Sequence, residues 1–155
     1  MKRLFIILAV IMPLFLGSCS GNDPQIYENV LLPYSLVIHS YNANAFDGVE
    51  VGHGYLTFHS ASTTAYDGVK DMQFVSVGRV SGINNITSVP NEGWQSNAIE
   101  TTENNGYLIR YHITGEDSGW KYRRFYLKEY ILLGGEDWYA KIQYDTKVWD
   151  PLTDK

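Results

Sequence analysis

Short apolar runs alternate with polar residues along most of the chain, and no stretch of 11 residues keeps the period of an amphipathic helix. Strand-like runs fall at 34–40, 54–60, 72–79, 106–113, 121–133 and 138–145, rich in residues that pack well on a pleated surface. Between them stand Asp47-Gly48, Asp67-Gly68, Asn105-Gly106, Asp117-Ser118-Gly119 and Gly134-Gly135-Glu136-Asp137, combinations that accept the positive φ of tight hairpin turns. About six strands joined in this way predict an all-β fold, a small antiparallel β-barrel or sandwich. One turn of helix is expected within 91–101.

The alternation assigns faces in places. Leu56 and Phe58 oppose Tyr55, Thr57 and His59, while Tyr107, Ile109 and Tyr111 oppose Leu108, Arg110 and His112. The longest run breaks the rule, because Phe125, Leu127 and Ile131 share parity with Glu129, and Tyr126 and Tyr130 with Lys128. A β-bulge, or burial of both faces, resolves such a conflict. Residues 45–49 nearly repeat at 65–69, which reads as shared turn chemistry, an aromatic strand end running into Asp-Gly.

The N-terminus follows a different pattern. Lys2 and Arg3 precede an apolar run of 13 residues, 4–16, followed by small residues, the layout of a secretory signal. As a helix the run covers roughly 20 Å, short of the roughly 30 Å hydrocarbon core of a bilayer. Its end, Leu16-Gly17-Ser18-Cys19, resembles the lipobox of bacterial lipoproteins. That resemblance implies cleavage after residue 18 and a diacylglyceryl group on Cys19, an anchor that holds stably once several acyl chains are present. Ser20, where Asp would favour inner-membrane retention, points to the outer membrane. Residues 19–33 carry Pro24 and Pro33 and read as lipidated Cys and tether, with a short pairing near 26–32, and 34–155 as a single β-domain.

Composition narrows the function. Of 155 residues, 45% are hydrophobic and only 19% charged, which excludes a disordered chain. The formal charge of -5 becomes -7 once Lys2 and Arg3 leave with the signal, and a mature domain of 137 residues this acidic makes a poor nucleic-acid binder. Cys19 is the sole cysteine, so a lipidated chain has no thiol left for catalysis, metal binding or an intrachain disulfide.

Catalytic and metal motifs are not evident. His53 and His59 are separated by roughly 20 Å if they lie on one strand, too far for one ion, and no cofactor motif stands out. The 42–48 segment has the flavour of a calcium loop, but Phe46 and His53 fall where ligands are required. Gly78-Arg79-Val80-Ser81-Gly82 has the wrong spacing for a nucleophile elbow. Acids at Glu100, Glu103, Glu116, Asp117, Glu129, Glu136 and Asp137 read as turn and surface residues, though a pair of them would be needed by a glycoside hydrolase. The strongest compositional signal is aromatic: 4 Trp and 12 Tyr. Most belong to the core of so small a domain, whereas Trp120, Trp138 and Tyr139 flank turns, where exposed rings would stack on sugars or a partner protein.

The stretches 74–82, 86–90, Gly93-Trp94, 105–110, 124–131 and 141–144 together resemble a domain of uncharacterised Bacteroidetes lipoproteins, over about residues 72–145. The resemblance implies a small β-domain and brings no catalytic residue with it. Gly78, Pro90, Gly93, Trp94 and Gly106 read as architecture. The expectation is a membrane-tethered, non-catalytic binding or assembly module of the cell envelope, meeting a glycan or a partner protein; the alternative is a small envelope hydrolase using surface carboxylates.

Overall fold

The structure, a computed structural model, describes residues 26–33, 37–38, 48–59, 69–113, 115–117 and 119–154. Its elements are β1 (Ile26–Pro33), β2 (Val37–Ile38), β3 (Gly48–Gly52), β4 (Tyr55–His59), β5 (Val69–Arg79), a 3-10 turn (Ile83–Asn85), β6 (Ala98–Glu100), β7 (Asn105–Ile113), β8 (Lys121–Leu133) and β9 (Asp137–Asp145). They form two antiparallel sheets, one in the order β1-β9-β8-β7-β5 and the other β2-β3-β4-β6. The sheets do not close into a barrel, so the fold is sandwich-like.

The expected all-β class is observed, with nine strands rather than about six among the described residues. Four expected strands reappear as β5, β7, β8 and β9, and 54–60 as β4. Of 34–40, the described part holds β2. The short pairing expected near 26–32 is a full strand, β1, paired with β9 from Ile26↔Asp145 to Pro33↔Tyr139. In place of a helical turn within 91–101, Gln95 bridges Phe74 on the free side of β5 and β6 pairs with β4. The near repeat and the 42–48 segment lie mostly outside the described residues, as does Cys19.

The five-stranded sheet is buried on both faces over much of its area. Its inner face packs Phe74, Tyr107, Ile109, Tyr111, Phe125, Leu127, Ala140 and Ile142 against Val49, Val51, Leu56 and Ile99 of the smaller sheet. Its outer face is covered by the loop after β5 and by the C-terminal segment, which bring Ile83, Ile86 and Trp149 onto Val75, Leu108 and Tyr126. Tyr107 and Leu108, adjacent on one strand, are therefore both fully buried. At Gly106 the cover approaches so closely that a Cβ would lie 2.7 Å from Ile86 and 2.8 Å from Val77.

Both resolutions of the parity conflict in β8 are present. Leu127 pairs with Ile142 and Glu129 with Lys141, which leaves Lys128 as an extra residue in a bulge. Phe125 and Leu127 face inward before it and Tyr130 after it, so the core face changes from odd to even positions. Bulges also interrupt both edge strands: β1 between Tyr27 and Val30, with Asn29 at φ 53, and β5 between Lys70 and Gln73, with Asp71 at φ 56, and again between Ser76 and Gly78.

Candidate functional site

Buried charge is concentrated where β8 meets the end of β9. Arg124 grips Asp145 through Nε (2.9 Å) and a second guanidinium nitrogen (3.0 Å), and its backbone N–H donates to the same carboxylate at 2.8 Å. Burial pushes the Asp145 carboxyl up, and the hydrogen bonds and charge of Arg124 act against that shift. On the opposite face Arg123 donates to the Tyr111 hydroxyl (3.3 Å) and to the Asp145 carbonyl (3.1 Å). Among the described residues no buried side-chain nitrogen or oxygen lacks a partner. With side chains 5% and 0% exposed at Arg124 and Asp145, this pair is part of the framework and offers nothing to a ligand.

The outer face of β7 carries a stack. The Arg110 guanidinium lies 4.1 Å from the Trp94 ring and 4.3 Å from the Trp120 ring, and the His112 ring stacks on Trp120 at 3.8 Å. Arg110 Nε donates to Gln73 at 2.8 Å, and His112 Nδ1 meets Asp71 at 3.2 Å. Burial pulls the Arg110 guanidinium below its ordinary value. Arg110 and His112 both lie within about 4 Å of one indole, too close to share a face of it, so the two faces of Trp120 are both taken by this domain's own side chains.

Trp138 is placed differently. It pairs with Leu132 near the far end of β8, eleven residues beyond Lys121, so roughly 35 Å of strand separates it from Trp120. The expected grouping of Trp120 with Trp138 and Tyr139 is therefore not one platform. Trp138 is 38% exposed, with the His53 ring of the β3–β4 turn 5.0 Å from its own. That turn is held by Tyr130, whose hydroxyl accepts from the Gly54 N–H and donates to the Gly52 carbonyl, both at 3.0 Å, while lying 2.5 Å from Thr101 Oγ1. Trp138 thus stands on a strand whose neighbours are fixed. Tyr139, half-buried, projects to the other face of the sheet and pairs with Pro33.

Around these residues a concavity of about 490 Å³ opens at the hairpin end, lined by Pro33, Glu136, Asp137, Trp138 and Tyr139. Pro33, the last residue of β1, pairs with Tyr139, and β9 begins two residues before that pair, at Asp137. Gly134 and Gly135, at φ 66 and 86, supply the reversal that brings Glu136 and Asp137 to the rim of the concavity. Sequence reasoning named Trp138 and Tyr139 as ring donors and Glu136 and Asp137 only among scattered acids; the contribution of Pro33 depends on a pairing between distant segments. Among the described residues no group of three or more His, Cys, Asp or Glu is arranged for a metal ion.

These two aromatic regions predict different mutant behaviour. Trp120→Ala removes the middle of the stack and is expected to cost about 2–3 kcal/mol, while Trp138→Ala is expected to cost under about 1 kcal/mol because its ring is already exposed. Urea melts of the two variants compare them; equal losses would contradict the assignment. Comparison with known protein families, with curated proteins and with solved structures finds no match for the chain.

Proposed function

We propose that the protein is a lipid-anchored, non-catalytic binding module of the cell envelope, held in the outer membrane through Cys19, that takes a glycan at the free end of the β8–β9 hairpin. The observation that carries this reading is the concavity in which an exposed indole stands beside two carboxylates. A sugar ring matches that chemistry: its C–H face stacks on an aromatic ring and its hydroxyls donate to carboxylate oxygens, which only accept. A site built on paired strands keeps such groups in place without a ligand, which lowers the ordering cost of binding.

The test is binding of soluble glycans to the purified domain, by calorimetry, with product analysis of the same mixtures. Trp138→Ala is expected to weaken binding by at least about tenfold, which corresponds to about 1.4 kcal/mol, and no shortened product is expected. Turnover would favour the hydrolase instead. A second reading rests on Leu31, Leu132 and Leu133, 42–45% exposed near the same end, an apolar fringe suited to a partner protein. Co-purification with an envelope complex, lost on Leu133→Ser but kept on Trp138→Ala, would favour it.

Localisation has its own test. Cys19→Ala is expected to release the domain from salt-washed membranes into the soluble fraction, since lipid on this residue is the anchor. A variant that still pellets after cleavage of its signal would show that another segment holds it.

A further inference from the structure

Resting on the glycan reading, we infer that the sugar unit recognised at the hairpin end carries a positive charge, an amine-bearing saccharide in preference to its neutral or acidic counterparts. The concavity and its exposed indole make the site; the groups around them set its sign. Its lining includes Glu136 and Asp137 and no Lys, Arg or His. Neither carboxylate belongs to an ion pair among the described residues, so their charge faces the concavity and solvent unneutralised. Four residues beyond Asp137 along β9, Lys141 is held by Glu129 at 3.6 Å.

Trp138 adds to the same preference, because the face of an indole attracts a cation as well as a C–H surface. The protein already uses this chemistry internally, with the Arg110 guanidinium 4.1 and 4.3 Å from two indoles. The far field agrees: a formal charge of -5, or -7 without Lys2 and Arg3, draws cationic ligands and repels uronic-acid or sulfated glycans at low ionic strength. An acidic glycan placed on Trp138 would bring its carboxylate or sulfate against Glu136 and Asp137, two acids against the one imidazole, His53, that stands beside the Trp138 ring.

The experiment compares oligomers of glucosamine with N-acetylated oligomers of the same length, and with a uronic-acid oligomer, at pH 6 on the whole lipid-free domain. The sugar backbones of the first two match, so the amine is the variable. The glucosamine oligomer is expected to bind at least about tenfold tighter at low salt. That advantage is expected to shrink as salt rises and to fall in Glu136→Gln and Asp137→Asn, which keep side-chain size while removing charge. Equal or tighter binding of the N-acetylated or uronic oligomer overturns the inference and leaves the glycan reading standing. A preference for glucosamine that survives both substitutions places the cation elsewhere and also overturns it. If no saccharide of any charge binds, the glycan reading fails, and this inference with it.

Discussion

Arg124→Leu is expected to remove about 3–5 kcal/mol of stability, a large part of the roughly 5–15 kcal/mol that holds a domain of ordinary stability together. The cost arises less from the lost attraction than from what remains. Asp145, with its side chain fully buried, would keep a carboxylate whose two oxygens both bond to the Arg124 guanidinium in the wild type. Asp145→Asn in the same background removes the stranded charge while retaining an oxygen that can accept the Arg124 backbone N–H. The double variant is therefore expected to be more stable than Arg124→Leu alone, by at least about 1 kcal/mol. Urea denaturation of the two single variants and the double one completes the cycle; additive costs would show that the pair is not coupled as the geometry implies.

The second large effect is expected at Trp149. Truncation to Ala should cost about 3–5 kcal/mol, the range for a buried Trp, because the ring is 1% exposed and is the largest fully buried side chain described. Its backbone N–H donates to the Tyr122 carbonyl at 2.9 Å and its Nε1 to the Asp154 carbonyl at 3.2 Å, so residues after β9 are pinned across the sheet. The Arg124 guanidinium lies 5.0 Å from the ring, which couples this site to the first. A chain ending at residue 145 is expected to lose the C-terminal half of the outer cover, leaving Ile83 and Ile86 as its remaining part. A melt unchanged by Trp149→Ala would mean that this cover is not part of the cooperative unit.

The strands most legible in the sequence are the long ones, β5, β7, β8 and β9, each at least nine residues long and carrying four or five β-branched or aromatic residues. β3 escaped because Gly48, Glu50 and Gly52 dilute a five-residue strand, and β6 because three residues with only Ile99 buried give no period to detect. β1 read as tether since Pro33 breaks a run; at the last position of an edge strand the missing N–H costs nothing. The parity conflict of 121–133 was visible, but its resolution at Lys128 is a matter of register with β9, which sequence does not display. At the site, exposure followed from turn flanks for Trp138, whereas Trp120 stands beside a turn equally and is enclosed by Arg110 and His112, partners supplied by tertiary pairing.

The interrupted edges bear on the lipid anchor proposed for Cys19. Molecules tethered by lipid share a thin layer, where their effective concentration far exceeds that of the same number free in solution. A flat outer strand would then offer its unpaired N–H and C=O groups to every neighbour, the first step toward aggregation. Here β1 and β5, the two margins of the larger sheet, are each kinked by a residue in left-handed backbone, Asn29 and Asp71. Neither presents a continuous template to a passing strand, so a domain anchored as proposed would tolerate crowding in two dimensions and keep the proposed site at the hairpin end free for its ligand.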